Sequence, residues 1–63
     1  MNLKALRLKA GYTQVAVAKR LNVHPSAVCG WESGRFFPKT STLVQLAELY
    51  NCSVDELLKE KIA

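Results

Sequence analysis

The stretch Thr13–Gly34, TQVAVAKRLNVHPSAVCGWESG, constrains this 63-residue chain most, because its start and stop signals leave room only for two short helices. Thr13 is a good N-cap: its hydroxyl can accept from one of the free N–H groups at a helix start. Val17, Ala18 and Leu21 follow at spacings of one, three and four residues, on one face of an amphipathic helix. Asn22, which tolerates the left-handed conformation, stands where that helix should end. Val23 is expected to turn back into the core. His24-Pro25 opens a second helix, about Pro25 to Ser33, with proline at the first helical position, where a missing N–H costs nothing. Val28 and Trp31 form its buried side, and Gly34 ends it. Two helices of about two turns each, joined by so short a turn, make a helix-turn-helix.

The flanks predict three more helices. Asn2 can cap one running to about Ala10, with Gly11 as its stop, Leu3 and Leu6 inward, and Lys4, Leu8 and Lys9 outward. Tyr12 is expected to pack over the junction of the first two helices. A fourth helix spans about Thr40 to Tyr50, burying Leu43, Leu46, Ala47 and Tyr50 and stopping at Asn51. Ser53-Val54-Asp55-Glu56 has the form of a capping box, and Leu57, Leu58 and Ile62 carry the apolar face of a last helix. The run Val15-Ala16-Val17-Ala18 resembles a strand by propensity, with Val15 on an outer face, but the leucine and tryptophan register downstream argues for helix. The expected fold is all-α, one compact five-helix domain over residues 1–63.

Charge is unevenly divided. Up to Lys39 the basic residues Lys4, Arg7, Lys9, Lys19, Arg20, Arg35 and Lys39 face one acid, Glu32; from Thr40 onward Lys59 and Lys61 face Glu48, Asp55, Glu56 and Glu60. A basic half suits a polyanion, since neutralising phosphates releases their counterions. No apolar run approaches the roughly 20 residues that span a membrane, and nothing resembles a signal peptide, which points to the cytosol. Cys29 and Cys52 are 23 apart with one histidine elsewhere, so zinc-ligand spacing is lacking and the cysteines read as reduced. One histidine, five scattered acids and two cysteines assemble no nucleophile, base and orienting group, which argues against an enzyme; neither a cofactor nor a metal is expected.

Thr13-Gln14, Ala18, Leu21, Val23, Val28 and Trp31-Glu32-Ser33-Gly34, in register, resemble the helix-turn-helix of the Cro and phage-repressor (XRE-like) family. The resemblance continues through Pro38, Leu43, Leu46-Ala47 and Ser53-Val54-Asp55-Glu56-Leu57-Leu58, nearly the whole chain. It implies a lambda-repressor-like domain whose second motif helix enters the major groove of double-stranded DNA. It also implies a phosphate contact for Gln14 at a helix N-terminus, where free N–H groups attract anions. For Arg7 it implies a pair with Glu32, the one acid of the basic half; the alternative is a surface charge or phosphate contact. A two-fold dimer contact is implied around Leu49, Tyr50, Cys52, Val54 and Leu58, against the alternative that these residues only close the core.

The outward positions of the second motif helix are His24, Pro25, Ser26, Cys29, Gly30 and Ser33, and here the sequence departs from the family pattern of long polar side chains. Bidentate arginine or glutamine readers are absent. Ser26 and Ser33 are short hydrogen-bonders, Pro25 and Ala27 can meet thymine methyl groups, and His24 is either a cap or a contact to a base or phosphate. Gly30 costs the helix about 1 kcal/mol relative to alanine. Arg35 and Lys39 are the phosphate-gripping candidates in the loop Arg35–Thr40, with groove shape as a further source of specificity. Between them Phe36 and Phe37 are either tucked onto the core or exposed for an interface, with a protein partner or with a second subunit. The expected function is a sequence-specific DNA-binding transcriptional regulator, a repressor binding a two-half-site operator as a homodimer. The alternative is a protein-interaction module on the same scaffold, such as an antitoxin, with weak or non-specific DNA binding.

Overall fold

The computed structural model describes residues 1–59, which form five α-helices: α1 (Leu3–Lys9), α2 (Gln14–Leu21), α3 (Pro25–Ser33), α4 (Thr40–Leu49) and α5 (Val54–Leu58). Ile62, expected on the last helix, lies outside the described residues. The core is built from all five helices: Leu3 and Leu6 of α1, Val17 and Ala18 of α2, Val28 of α3, Leu43, Leu46 and Ala47 of α4 with Tyr50, and Leu57 of α5. Pro38 is also fully buried and pins the α3–α4 loop to this core. Leu21 and Trp31 pack against it only partly covered.

Four helices end by the same device. After α1, α2, α3 and α4 the chain passes through Gly11, Asn22, Gly34 and Asn51 at φ 85°, 56°, 83° and 55°. At each, the following N–H reaches back to close the last turn: Tyr12 to the Arg7 carbonyl (3.2 Å), Val23 to Ala18 (2.9 Å), Arg35 to Gly30 (2.9 Å) and Cys52 to Ala47 (2.9 Å). These are Schellman closures, which occupy carbonyls that a helix end leaves free. Glycine holds the left-handed angle without a Cβ clash and asparagine tolerates it, so residue type sets where the chain turns.

The starts are less uniform. Thr13 Oγ1 accepts the Ala16 N–H at 3.1 Å, and Ser53 and Glu56 complete a capping box at α5. Asn2 does not cap α1 as expected. Its backbone (φ −105°, ψ 40°) departs from the extended conformation of Thr13, His24 and Ser53, which aims a side chain at the free N–H groups. Instead the Asn2 N–H bonds the Leu57 carbonyl at 2.8 Å, tying the first helix to the last. Val23 does not enter the core: its side chain is 36% exposed, and the turn uses only its backbone N–H.

Candidate nucleic-acid interface

The helix-turn-helix is locked by a clasp at its base. Arg7 on α1 meets Glu32 near the end of α3 through two parallel bonds, Nε to Oε2 at 2.6 Å and Nη2 to Oε1 at 3.1 Å. Its Nη1 donates to the Tyr12 carbonyl at 2.9 Å, and Gln14 Nε2 donates to Glu32 Oε1 at 3.0 Å. One carboxylate thus joins α1, the start of α2 and α3. The side chains of Arg7 and Glu32 are only 7% and 5% exposed, so the pair is shielded from salt and water. The bond to Glu32 raises Arg7 above the ordinary guanidinium value, with burial opposing it. Nearby, burial pushes the Tyr50 hydroxyl up to about 12, and the charge of Glu32 adds to this while Arg7 opposes it.

This geometry settles the two readings of Arg7 for the internal pair. It also gives Gln14, at the α2 start, an internal partner: its side-chain amide donates to Glu32. Holding α1 and both motif helices to one carboxylate fixes the angle at which α3 is presented.

The exposed side of α3 is short-chained. His24 caps the helix, its Nδ1 accepting the Ser26 N–H at 3.1 Å with Ser26 Oγ at 2.9 Å. An accepting Nδ1 leaves Nε2 as the ring donor, on an exposed residue. Cap and contact are therefore compatible. Pro25 is half-buried at the first helical position, Ser26 and Cys29 are exposed, and Ser33 is exposed with its hydroxyl donating to the Gly30 carbonyl at 3.2 Å.

Gly30 is not an open outward position. It is buried, and a Cβ there would lie 2.3 Å from Phe36 Cδ2 and 2.7 Å from Cε2. The loop after α3 folds back over it: the Gly30 carbonyl accepts from the Arg35 N–H at 2.9 Å and the Phe36 N–H at 3.2 Å. Neither phenylalanine is tucked into the core: Phe36 is 54% and Phe37 70% exposed. Pro38 takes the buried place in that loop instead. The lone helical glycine and the aromatic pair were both visible in the sequence; their pairing depends on how the loop returns.

Exposed cations are plentiful up to Lys39. Lys4, Lys9, Lys19, Arg20, Arg35 and Lys39 are exposed, and the one acid up to Lys39 is already held by Arg7. Arg20 also lies over the Tyr12 ring, 5.8 Å from its centroid. Lys39 stands at the N-cap of α4, whose first turn has neither a side-chain cap nor an acidic residue, so its free N–H groups add to the positive potential. Among the proposed dimer contacts, Tyr50 is withdrawn into the core at 6% exposure; Leu49, Cys52 and Val54 are partly covered and Leu58 is exposed. Cys29 and Cys52 are free thiols.

Five short helices with the second and third forming this motif define a helix-turn-helix domain. The chain belongs to the Helix-turn-helix family, which matches residues 3–57. It is 45% identical over 56 residues to the HTH-type transcriptional regulator ImmR of Bacillus subtilis (strain 168), covering 89% of this chain and 44% of that protein. It is 34% identical over 56 residues to the HTH-type transcriptional activator BcrR of Enterococcus faecalis, covering 89% of this chain and 28% of that protein. The chain thus spans less than half the length of these curated relatives. Membership places it among binding proteins rather than enzymes. Among the described residues, no helix is long and apolar enough to cross a membrane.

Proposed function

We propose that this chain, as a single domain, is a sequence-specific DNA-binding transcriptional regulator. It engages double-stranded DNA as a homodimer on an operator with two half-sites, and represses by occupying promoter DNA. The observation that carries this reading is the short-chained α3 face, clasped in place by Arg7 and Glu32, within a stretch of 39 residues that has six exposed cations and no free acid. Gln14, Arg35, Lys39 and the open α4 N-terminus hold phosphates, while His24, Pro25, Ser26 and Ser33 face base edges. The names of the two relatives support transcriptional control, one as a regulator and one as an activator. Selection from a random duplex pool near physiological salt tests the reading. The expected product is an inverted repeat with half-site centres about 34 Å, one helical turn, apart. Absence of enrichment, with binding that vanishes as salt rises, refutes it. Arg35→Ala with Lys39→Ala should weaken binding to every sequence and flatten the log–log salt slope by about two, one per lost phosphate contact.

A second reading, a protein-interaction module, is favoured by Phe37 at 70% exposure. On that reading Phe37→Ala abolishes function, while the Arg35/Lys39 double variant keeps it.

A further inference from the structure

The recognition helix lacks a side chain at Gly30, yet that place is not empty. We propose that Phe36 supplies the missing reader: its ring, lying on the Gly30 backbone, contacts the C5 methyl of a thymine in the major groove. The inference rests on the DNA-binding reading above and assigns one of its specificity determinants.

Three observations converge on this position. Ser26 lies four residues before Gly30 and Ser33 three after it, so all three share one helix face, on which both serines are exposed and Gly30 is covered. The Phe36 ring sits within that face, so close that a Cβ on residue 30 would be 2.3 Å from Cδ2. Two backbone bonds to the Gly30 carbonyl, from Arg35 and Phe36, and the burial of Pro38 two residues later hold the loop in this place. The ring is therefore anchored on one side, while 54% of the residue stays exposed to whatever lies against α3.

Chemistry then selects the partner. An aromatic ring has no donor or acceptor for a base edge, and in the major groove the apolar feature of a base pair is the thymine methyl. Arg35 adjoins Phe36 and Lys39 follows three residues later, so the ring is bracketed by groups that grip phosphates. Glycine at 30 has a role in this arrangement: it admits the ring to the groove-facing surface. The helix loses propensity there and gains an apolar reader borrowed from the loop.

The experiment is a cycle between protein and DNA on the sequence selected by the wild-type chain. Each thymine of a half-site is replaced in turn by deoxyuridine, which lacks only the methyl. One thymine per half-site should cost wild-type protein about fourfold in affinity, the worth of one buried methyl group. With Phe36→Ala that same replacement should cost nothing. Gly30→Ala, which displaces the ring rather than deleting it, should abolish the same thymine preference. Thermal melting of both variants checks that the fold is retained. An equal deoxyuridine cost in wild-type and Phe36→Ala protein overturns the assignment, as does the absence of any methyl-sensitive thymine. Failure of the wild-type chain to select any sequence overturns the DNA-binding reading itself, and is seen before any residue is changed.

Discussion

Removing one partner of the Arg7–Glu32 clasp should bring the domain close to unfolding, whereas removing both should not. Glu32→Leu leaves a guanidinium at 7% exposure with the Tyr12 carbonyl as its remaining acceptor and takes away the acceptor of Gln14. Breaking a buried pair from one side costs about 3–5 kcal/mol, because the surviving charge is neither paired nor hydrated. A chain of 63 residues has a total stability on the order of 3–9 kcal/mol, so the single variant loses about a third of it or more. Arg7→Met strands the carboxylate in the same way, with only the Gln14 amide left as donor. The double variant carries no buried charge. Its residual cost is about 1 kcal/mol, chiefly the Tyr12 carbonyl that has lost its donor. Urea denaturation followed by helical circular dichroism, on the wild type, both single variants and the double, measures the coupling. Single losses below about 1 kcal/mol that simply add would refute the argument, because that is how an exposed ion pair behaves.

Two further outcomes follow from the same geometry. Tyr50 ionises near 10 in the unfolded chain and at about 12 in the fold, so between those values the folded state holds a proton that the unfolded state has lost. Stability should be intact below pH about 10 and fall toward pH about 12, and Tyr50→Phe should remove that part of the decline; an identical alkaline denaturation profile for the variant would count against it. Cys29 is exposed on the α3 face, whereas Cys52 is half-buried and burial raises its thiol above the ordinary value. A thiol-alkylating reagent should therefore modify Cys29 first, and bound operator DNA should slow that reaction. An unchanged rate at Cys29 on bound DNA would argue against docking through α3.

What the sequence disclosed is the part governed by neighbours along the chain. Thr13, His24-Pro25 and Ser53 with Glu56 mark helix starts, while Gly11, Asn22, Gly34 and Asn51 mark stops, because each acts on N–H or carbonyl groups a few residues away. The buried faces of α1 and α4 followed from spacing alone. Arg7 with Glu32 lies 25 residues apart and was legible only through the family resemblance and the scarcity of acid in the basic half. Three readings failed where a non-neighbouring segment or a local backbone angle decides. Val23 stays out of the buried core, and the turn uses its N–H rather than its side chain. Asn2 is held by Leu57 of α5 in a conformation that cannot cap. Gly30 is roofed by Phe36, whose return path a periodicity argument does not contain. An isolated glycine inside a helix asks for a packing reason, and an aromatic six residues on was the available answer.

The repeated left-handed closures at Gly11, Asn22, Gly34 and Asn51 bear on how fast this chain finds its fold. Each reversal of direction is completed by bonds spanning no more than five residues, so the corners form without waiting for distant partners. Helical domains rich in such local contacts fold in microseconds to milliseconds. The non-local bonds include the Arg7–Glu32 clasp, 25 residues apart, and the return of α5 to the chain start, where the Asn2 N–H meets the Leu57 carbonyl. Formation of the α2–α3 corner can thus run ahead of the seal between the first and last helices.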